Sequence, residues 1–141
     1  MAAPPRLLQT APVTGFGPEV EARWRPARAI SWVVVPLMVV ASAAGLLVGD
    51  VYREPVPVAA LLRGNDLVTL VVAAPLLAAA LLAARRGSAR AQLVWAAMLA
   101  YTVYTYATVV FGTTFNALFL VHVALFSLAV FALVAVLSRL G

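Results

Sequence analysis

The chain has 141 residues, of which 65% are hydrophobic and 11% charged, with a net charge of +5 and a mean hydropathy of +1.03. Soluble domains carry roughly 45–50% apolar and about 25% charged residues. This chain therefore cannot cover itself in water, and the same excess of apolar surface excludes a disordered polar chain. The absence of cysteine removes disulfides, thiolate catalysis and Cys-based metal sites.

Residues 1–29 read as a flexible N-terminal tail. Prolines stand at Pro4, Pro5, Pro12, Pro18 and Pro26, glycines at Gly15 and Gly17, and the charges are of mixed sign. Such a segment has too little to bury to form a core of its own. The run 30–49 holds 20 residues without a charge. At 1.5 Å per residue this is about 30 Å, one membrane crossing. The ASA at 41–43 resembles a small-residue cleavage site, but the apolar run continues to Gly49 behind a long tail, which favours an uncleaved span. Gly45 and Gly49 form GLLVG, with Ala41 extending the small-residue face. That pattern suits a close helix contact, within or between subunits; in so alanine-rich a chain it also arises by chance.

The connection 50–66 is the longest polar stretch between spans. Pro55 and Pro57 break regular structure, and the VAALL before Gly64 has room for one or two helical turns at the interface. Arg53 and Arg63 are the candidate outer anion contacts, because guanidinium offers a fork of donors. The plain alternative is a solvated loop with salt bridges at its rim. The second span is 67–84, with Asn65 or Asp66 as its N-cap and a kink expected at Pro75. After RRGSARAQ come a third span at 93–111, the tight turn GTTFN, and a fourth span at 117–137. None of these runs alternates at period two, as membrane strands would. The expected fold is all-α, a polytopic transmembrane four-helix bundle over 30–141.

Arginine placement sets the expected topology. Arg6, Arg23, Arg25, Arg28, Arg85, Arg86, Arg90 and Arg139 fall on one side, and only Arg53 and Arg63 on the other. The positive-inside rule puts both termini in the cytoplasm. Trp24, Trp32 and Trp95 lie near the same boundary, where amphipathic rings suit the headgroup level. These arginines flank apolar runs and form no stripe on a soluble face, so anionic lipid is the expected partner and nucleic acid is not.

Chemistry concentrates in the third and fourth spans. YTVYTYAT at 101–108 puts Tyr101, Tyr104, Thr105 and Thr108 on one side of a helix, and Thr102 and Tyr106 on another. Two readings stand: helix–helix glue with an aromatic belt, or a polar pocket for a small molecule or lipid headgroup. His122, the one histidine, lies five residues into the fourth span, and Tyr106 five before the end of the third. The turn brings both to about 8 Å below the outer edge. His122 is either packed and hydrogen-bonded to tyrosine or handles a ligand or proton. The candidate polar pocket is thus His122, Tyr101, Tyr104, Thr105, Tyr106, Thr108, Asp66 and Asn116, where Asn116 alternatively caps the fourth helix. With no second histidine, a metal site has little support, and neither metal nor cofactor is expected. Phosphate-cradle, zinc-protease and hydrolase motifs are absent from the sequence.

RGNDLVTLVVAAPLL, ARRGS, YTVYTYA and FGTTFNALFLVHVALFS together resemble a group of small uncharacterised bacterial four-span integral membrane proteins, over roughly residues 45–130. The resemblance implies four spans in a bacterial inner membrane and carries no activity. Three function classes remain. A structural or accessory subunit of a membrane assembly ranks first. A small transporter or channel-like module follows; four short spans enclose little space, so it would need a homo-oligomer. A membrane enzyme or small-molecule sensor with an outer-leaflet pocket is third. The expected partners are the bilayer and either further copies of the chain or a larger assembly.

Overall fold

The computed structural model of the protein describes residues 17–141. Residues 1–16 of the expected tail lie outside the described residues. Four helices follow one another: α1 Pro18–Leu47, α2 Val56–Ala84, α3 Ala89–Gly112 and α4 Phe119–Leu140. All four are long and apolar enough to cross a bilayer. The protein is a small multi-pass α-helical membrane protein.

Each helix starts where backbone chemistry allows it. α1 begins at Pro18, well inside the segment expected to be a tail. Proline at the first helical turn gives up an N–H that has no partner there anyway. Glu19 and Glu21 complement the positive end of the helix. Glu21 also ion-pairs with Arg28 two turns on, which leaves the arginine largely buried. Pro57 plays the same role in α2, with the Val58 and Ala59 amides bonded to the Pro55 carbonyl. The two prolines therefore open a helix where breakage of the connection was expected. Asn65 and Asp66 consequently lie in the middle of α2 and cap nothing. Ser88 caps α3 by accepting from the Ala91 amide at 3.3 Å, after a turn in which Gly87 adopts φ 81°. That left-handed backbone favours glycine.

Pro75 is accommodated without ending α2. Proline cannot donate to the carbonyl four residues back. The preceding turn, Thr69–Ala73, is widened to π geometry, and the Ala74 amide reaches the Thr69 carbonyl. Inward-facing residues on α2 are Leu62, Asp66, Thr69, Ala73, Leu77, Ala80 and Ala84.

The helices pack as a ring in which α1 touches α2 and α4, and α3 touches α2 and α4. Alanines including Ala27, Ala41, Ala73, Ala80, Ala129 and Ala132 let neighbours approach, while Val34, Met38, Leu77, Leu81, Leu99 and Leu125 fill the centre. In lipid such packing stabilises mainly by dispersion, since the tails are as apolar as leucine. Trp95 is fully buried and donates to the Ser31 hydroxyl at 2.9 Å, linking the diagonal pair α1 and α3. Trp24 packs against it, with ring centroids 5.7 Å apart. Only Trp32 of the three tryptophans is exposed as a boundary residue would be. A second apolar cluster, Val51, Tyr52, Leu62 and Val109, caps the opposite end. That end carries the 48–55 loop and the 113–118 turn and is called the loop end below.

Candidate functional site

The loop-end half of the bundle holds most of its buried polar groups. Its best-formed interaction joins the 48–55 loop to α2: the Tyr52 hydroxyl donates to Asp66 Oδ2 at 2.6 Å. Both side chains are nearly sealed from solvent. Burial, and then the neighbouring carboxylate, push the Tyr52 phenol well above the usual tyrosine range. Gly45 of α1 makes this arrangement fit. A Cβ at that position would lie 2.0 Å from Asp66 Oδ2 and 3.0 Å from the Tyr52 hydroxyl. Gly49, the other glycine of GLLVG, has nothing within 4 Å of a Cβ. One glycine of the pair thus makes room, and it does so for a carboxylate.

One turn along, α2 meets α3 through hydroxyls. Thr69 Oγ1 and the Tyr101 hydroxyl lie 3.1 Å apart, and Tyr101 also donates to Asn65 Oδ1 at 3.3 Å. Deeper in the ring, Tyr106 and His122 stack with centroids 5.7 Å apart and planes tilted by 30°. The Tyr106 hydroxyl and both His122 ring nitrogens are buried without a hydrogen-bond partner among the described residues. The Ser42 hydroxyl, buried on α1, shares that condition. Ser42 neighbours the Tyr106 phenol, yet no bond of normal geometry joins the two.

The eight pocket residues therefore do not converge on one point. Asp66, Tyr106 and His122 face the interior; Tyr101 bridges α2 and α3. Tyr104, 74% exposed, and Thr108 lie on the outer surface, where Thr108 satisfies itself on the Tyr104 carbonyl. The side of α3 that enters the core is the one bearing Thr102 and Tyr106. Thr105, at its border, is buried. Asn116 is spent on its own turn, its Oδ1 accepting from the Leu118 amide at 2.9 Å.

Two hollows open on the surface. One lies between α2 and α3, has about 180 Å³ and is lined by Leu61, Leu62, Asn65, Tyr104, Thr105 and Thr108, with Val109 at its edge. The other, about 240 Å³, lies at the loop end between Asp50, Arg53, Phe115, Asn116 and Ala117. Arg53 belongs to this second hollow; Arg63 instead donates to the Gly49 carbonyl at 3.1 Å. The two arginines expected to act together are thus given different tasks. Glu54 clamps the loop to the turn by accepting from the Thr114 amide and hydroxyl at 2.7 and 2.9 Å. Burial alone would raise its carboxyl, but these two bonds, with the nearby backbone amides of Glu54 and Arg53, outweigh it and hold Glu54 below the usual range.

Ser42 and Thr69 are the cluster members that sequence reasoning left out. Ser42 carried a signal, a lone hydroxyl in an apolar run. Tyr52 was legible only as one of the polar residues of the outer connection, because nothing local says that a loop tyrosine folds back on a helix. Among the described residues no group of three His, Asp or Glu side chains is placed to hold a metal ion. Protein-family models, curated proteins and solved structures were compared with the chain, and none matches.

Proposed function

We propose that the protein is an accessory subunit of a bacterial inner-membrane assembly, oriented with both termini in the cytoplasm and docked through its lipid-facing surface. The observation that supports this reading is the groove between α2 and α3. It presents Tyr104 and Thr108 beside Leu61 on the outside of the bundle, with half-buried Asn65 at its edge and the buried Leu62, Thr105 and Val109 forming its floor. Polar side chains are costly against hydrocarbon and favour a helix partner that can bond them. A photo-crosslinking residue at Tyr104, in native membranes, is expected to capture a different protein chain in a defined ratio. Adducts to lipid alone would overturn the reading, and adducts to a second copy would favour an oligomeric transporter. The orientation follows from the arginine bias. A cysteine replacing Ser88 should resist an impermeant reagent in intact cells; its labelling would reverse the topology.

One observation favours a second reading, a sensor or enzyme. Tyr106, His122 and Ser42 place four unpartnered buried polar atoms side by side, and buried polar groups ordinarily find partners. Loss of a small-molecule response in His122→Ala, with the fold retained, would support it over the accessory role.

A further inference from the structure

The loop-end hollow brings three kinds of side chain into one small space. It has a guanidinium, Arg53, a carboxylate, Asp50, and an aromatic ring, Phe115, around about 240 Å³. Asp50 and Arg53 line the same hollow without forming an ion pair with each other. Neither makes a side-chain hydrogen bond among the described residues. Both are exposed, as is Phe115 at 76%. The hollow is open toward solvent and lies at the ends of the spans, the level at which lipid headgroups sit. Phe115 continues into an aromatic pair with Phe119, ring centroids 4.7 Å apart, and Phe111 is exposed nearby in sequence at the end of α3. Exposed rings at this level suit the boundary between headgroup and acyl chain.

We propose that this hollow binds an aminoalkyl phosphate, supplied as the headgroup of an ethanolamine-type phospholipid in the leaflet at the loop end. Arg53 recognises the phosphate, because its planar fork of donors matches phosphate oxygens. Asp50 accepts from the primary ammonium, and the Phe115 face attracts the same cation. Asn116 shapes the floor through its own turn. The charge order selects the ligand. A glycerol phospholipid brings no cation to Asp50. A choline phospholipid brings a cation with no N–H to donate. Arg63, bonded to the Gly49 carbonyl, and Glu54, bonded to Thr114, shape the rim and take no part. The proposal is independent of the accessory-subunit reading, which concerns a different groove.

The test uses the full chain, purified in mild detergent, with ethanolamine, choline and glycerol phospholipids of equal chain length added in equal amounts. Native mass spectrometry reads the lipid retained. The ethanolamine lipid is expected to be held roughly fivefold more than either other lipid, the scale of one exposed charged contact. Arg53→Gln should weaken retention of every lipid that carries phosphate. Asp50→Asn should abolish the preference for ethanolamine over choline, and Phe115→Leu should weaken both lipids whose headgroup carries a cationic nitrogen. Each substituted side chain is exposed, and circular dichroism confirms helix content before comparison. Equal retention of the three lipids by the native protein would overturn the proposal, as would variants that fold and bind unchanged. A soluble arm adds glycerophosphoethanolamine. Displacement of the lipid by it supports the shared chemistry, while binding of the soluble compound without any lipid retention overturns the membrane source.

Discussion

Asp66 occupies the space that a side chain at Gly45 would need: a Cβ there would stand 2.0 Å from its carboxylate oxygen. The contact joins α1 to α2 at the level where Tyr52 brings in the loop. Gly45→Ala should therefore push Asp66 aside and strain its bond to Tyr52. A loss of about 1–3 kcal/mol, the usual scale of overpacking, should appear in unfolding of the purified protein by denaturing detergent. Gly49→Ala is the internal control, with open space around it, and should stay within about 0.5 kcal/mol. Equal losses for the two would show that close approach is not what residue 45 provides.

Tyr52→Phe removes one hydroxyl and leaves a buried carboxyl without its donor. A cost of about 1–3 kcal/mol follows from the desolvated partner left behind. The pH dependence is distinctive. The folded state raises the Tyr52 phenol and so favours its protonated form. Its contribution is complete below the unfolded value of about 10 and is lost as pH rises above it. Thermal unfolding followed into alkali should show this falling limb in the native protein and a weaker one in the variant.

Glu54 gives the opposite sign. Its carboxyl is lowered on folding, so its contribution is complete above the unfolded value of about 4.3 and fades as pH falls through the folded one. Glu54→Gln should flatten this acid limb. The effect is small, because the clamp to Thr114 is exposed, and it is best read as proteolysis of the 48–55 loop below about pH 4.

Much of this architecture was legible in the chain, and the reasons divide by length scale. The four apolar runs identified the spans because a membrane helix must be long and uncharged. Their ends were misjudged where proline was read only as a breaker: Pro18 and Pro57 each stand in a first turn, and both helices extend toward polar sequence. The shared depth of Tyr106 and His122 followed from the tight turn, which equalises distance from the membrane edge; their contact is a ring stack, and the expected hydrogen bond to tyrosine is not made. Facing direction did not follow. Tyr104 and Thr108 share a helix side with Tyr101 but look outward. Rotation of α3 is set by Trp95 inserting against Ser31 and Trp24, a contact between residues far apart in sequence. The same limit hid the contact of Tyr52, whose partner lies 14 residues away.

That insertion is itself testable. Ser31 donates to the Ala27 carbonyl at 2.8 Å while accepting from Trp95. Ser31→Ala leaves the indole N–H buried and unpaired, at a cost of about 1–3 kcal/mol. Trp95 fluorescence should broaden or shift as the ring loses its fixed partner. An unchanged spectrum and unchanged stability would mean that packing alone seats the indole.

At His122 the prediction separates shape from polarity. Its nitrogens have no partner among the described residues, so His122→Phe should keep the stack on Tyr106 and preserve stability. His122→Ala should cost roughly 2–4 kcal/mol through the cavity it leaves. A phenylalanine variant as unstable as the alanine one would reveal a hydrogen bond that the ring makes in the membrane.

The widened turn at Thr69–Ala73 also bears on how such a chain can change length. A π turn holds one residue more than the α-helical path it replaces, so the flanking segments keep their facing while the chain carries a surplus. In alignment terms, α2 contains one residue of slack. Removing Val71 or Val72, both outward-facing, would let the turn close to ordinary helix, with Asp66 on one flank and Leu77 on the other still inside. The same deletion in α3, which has no such turn, would rotate Tyr106 away from His122.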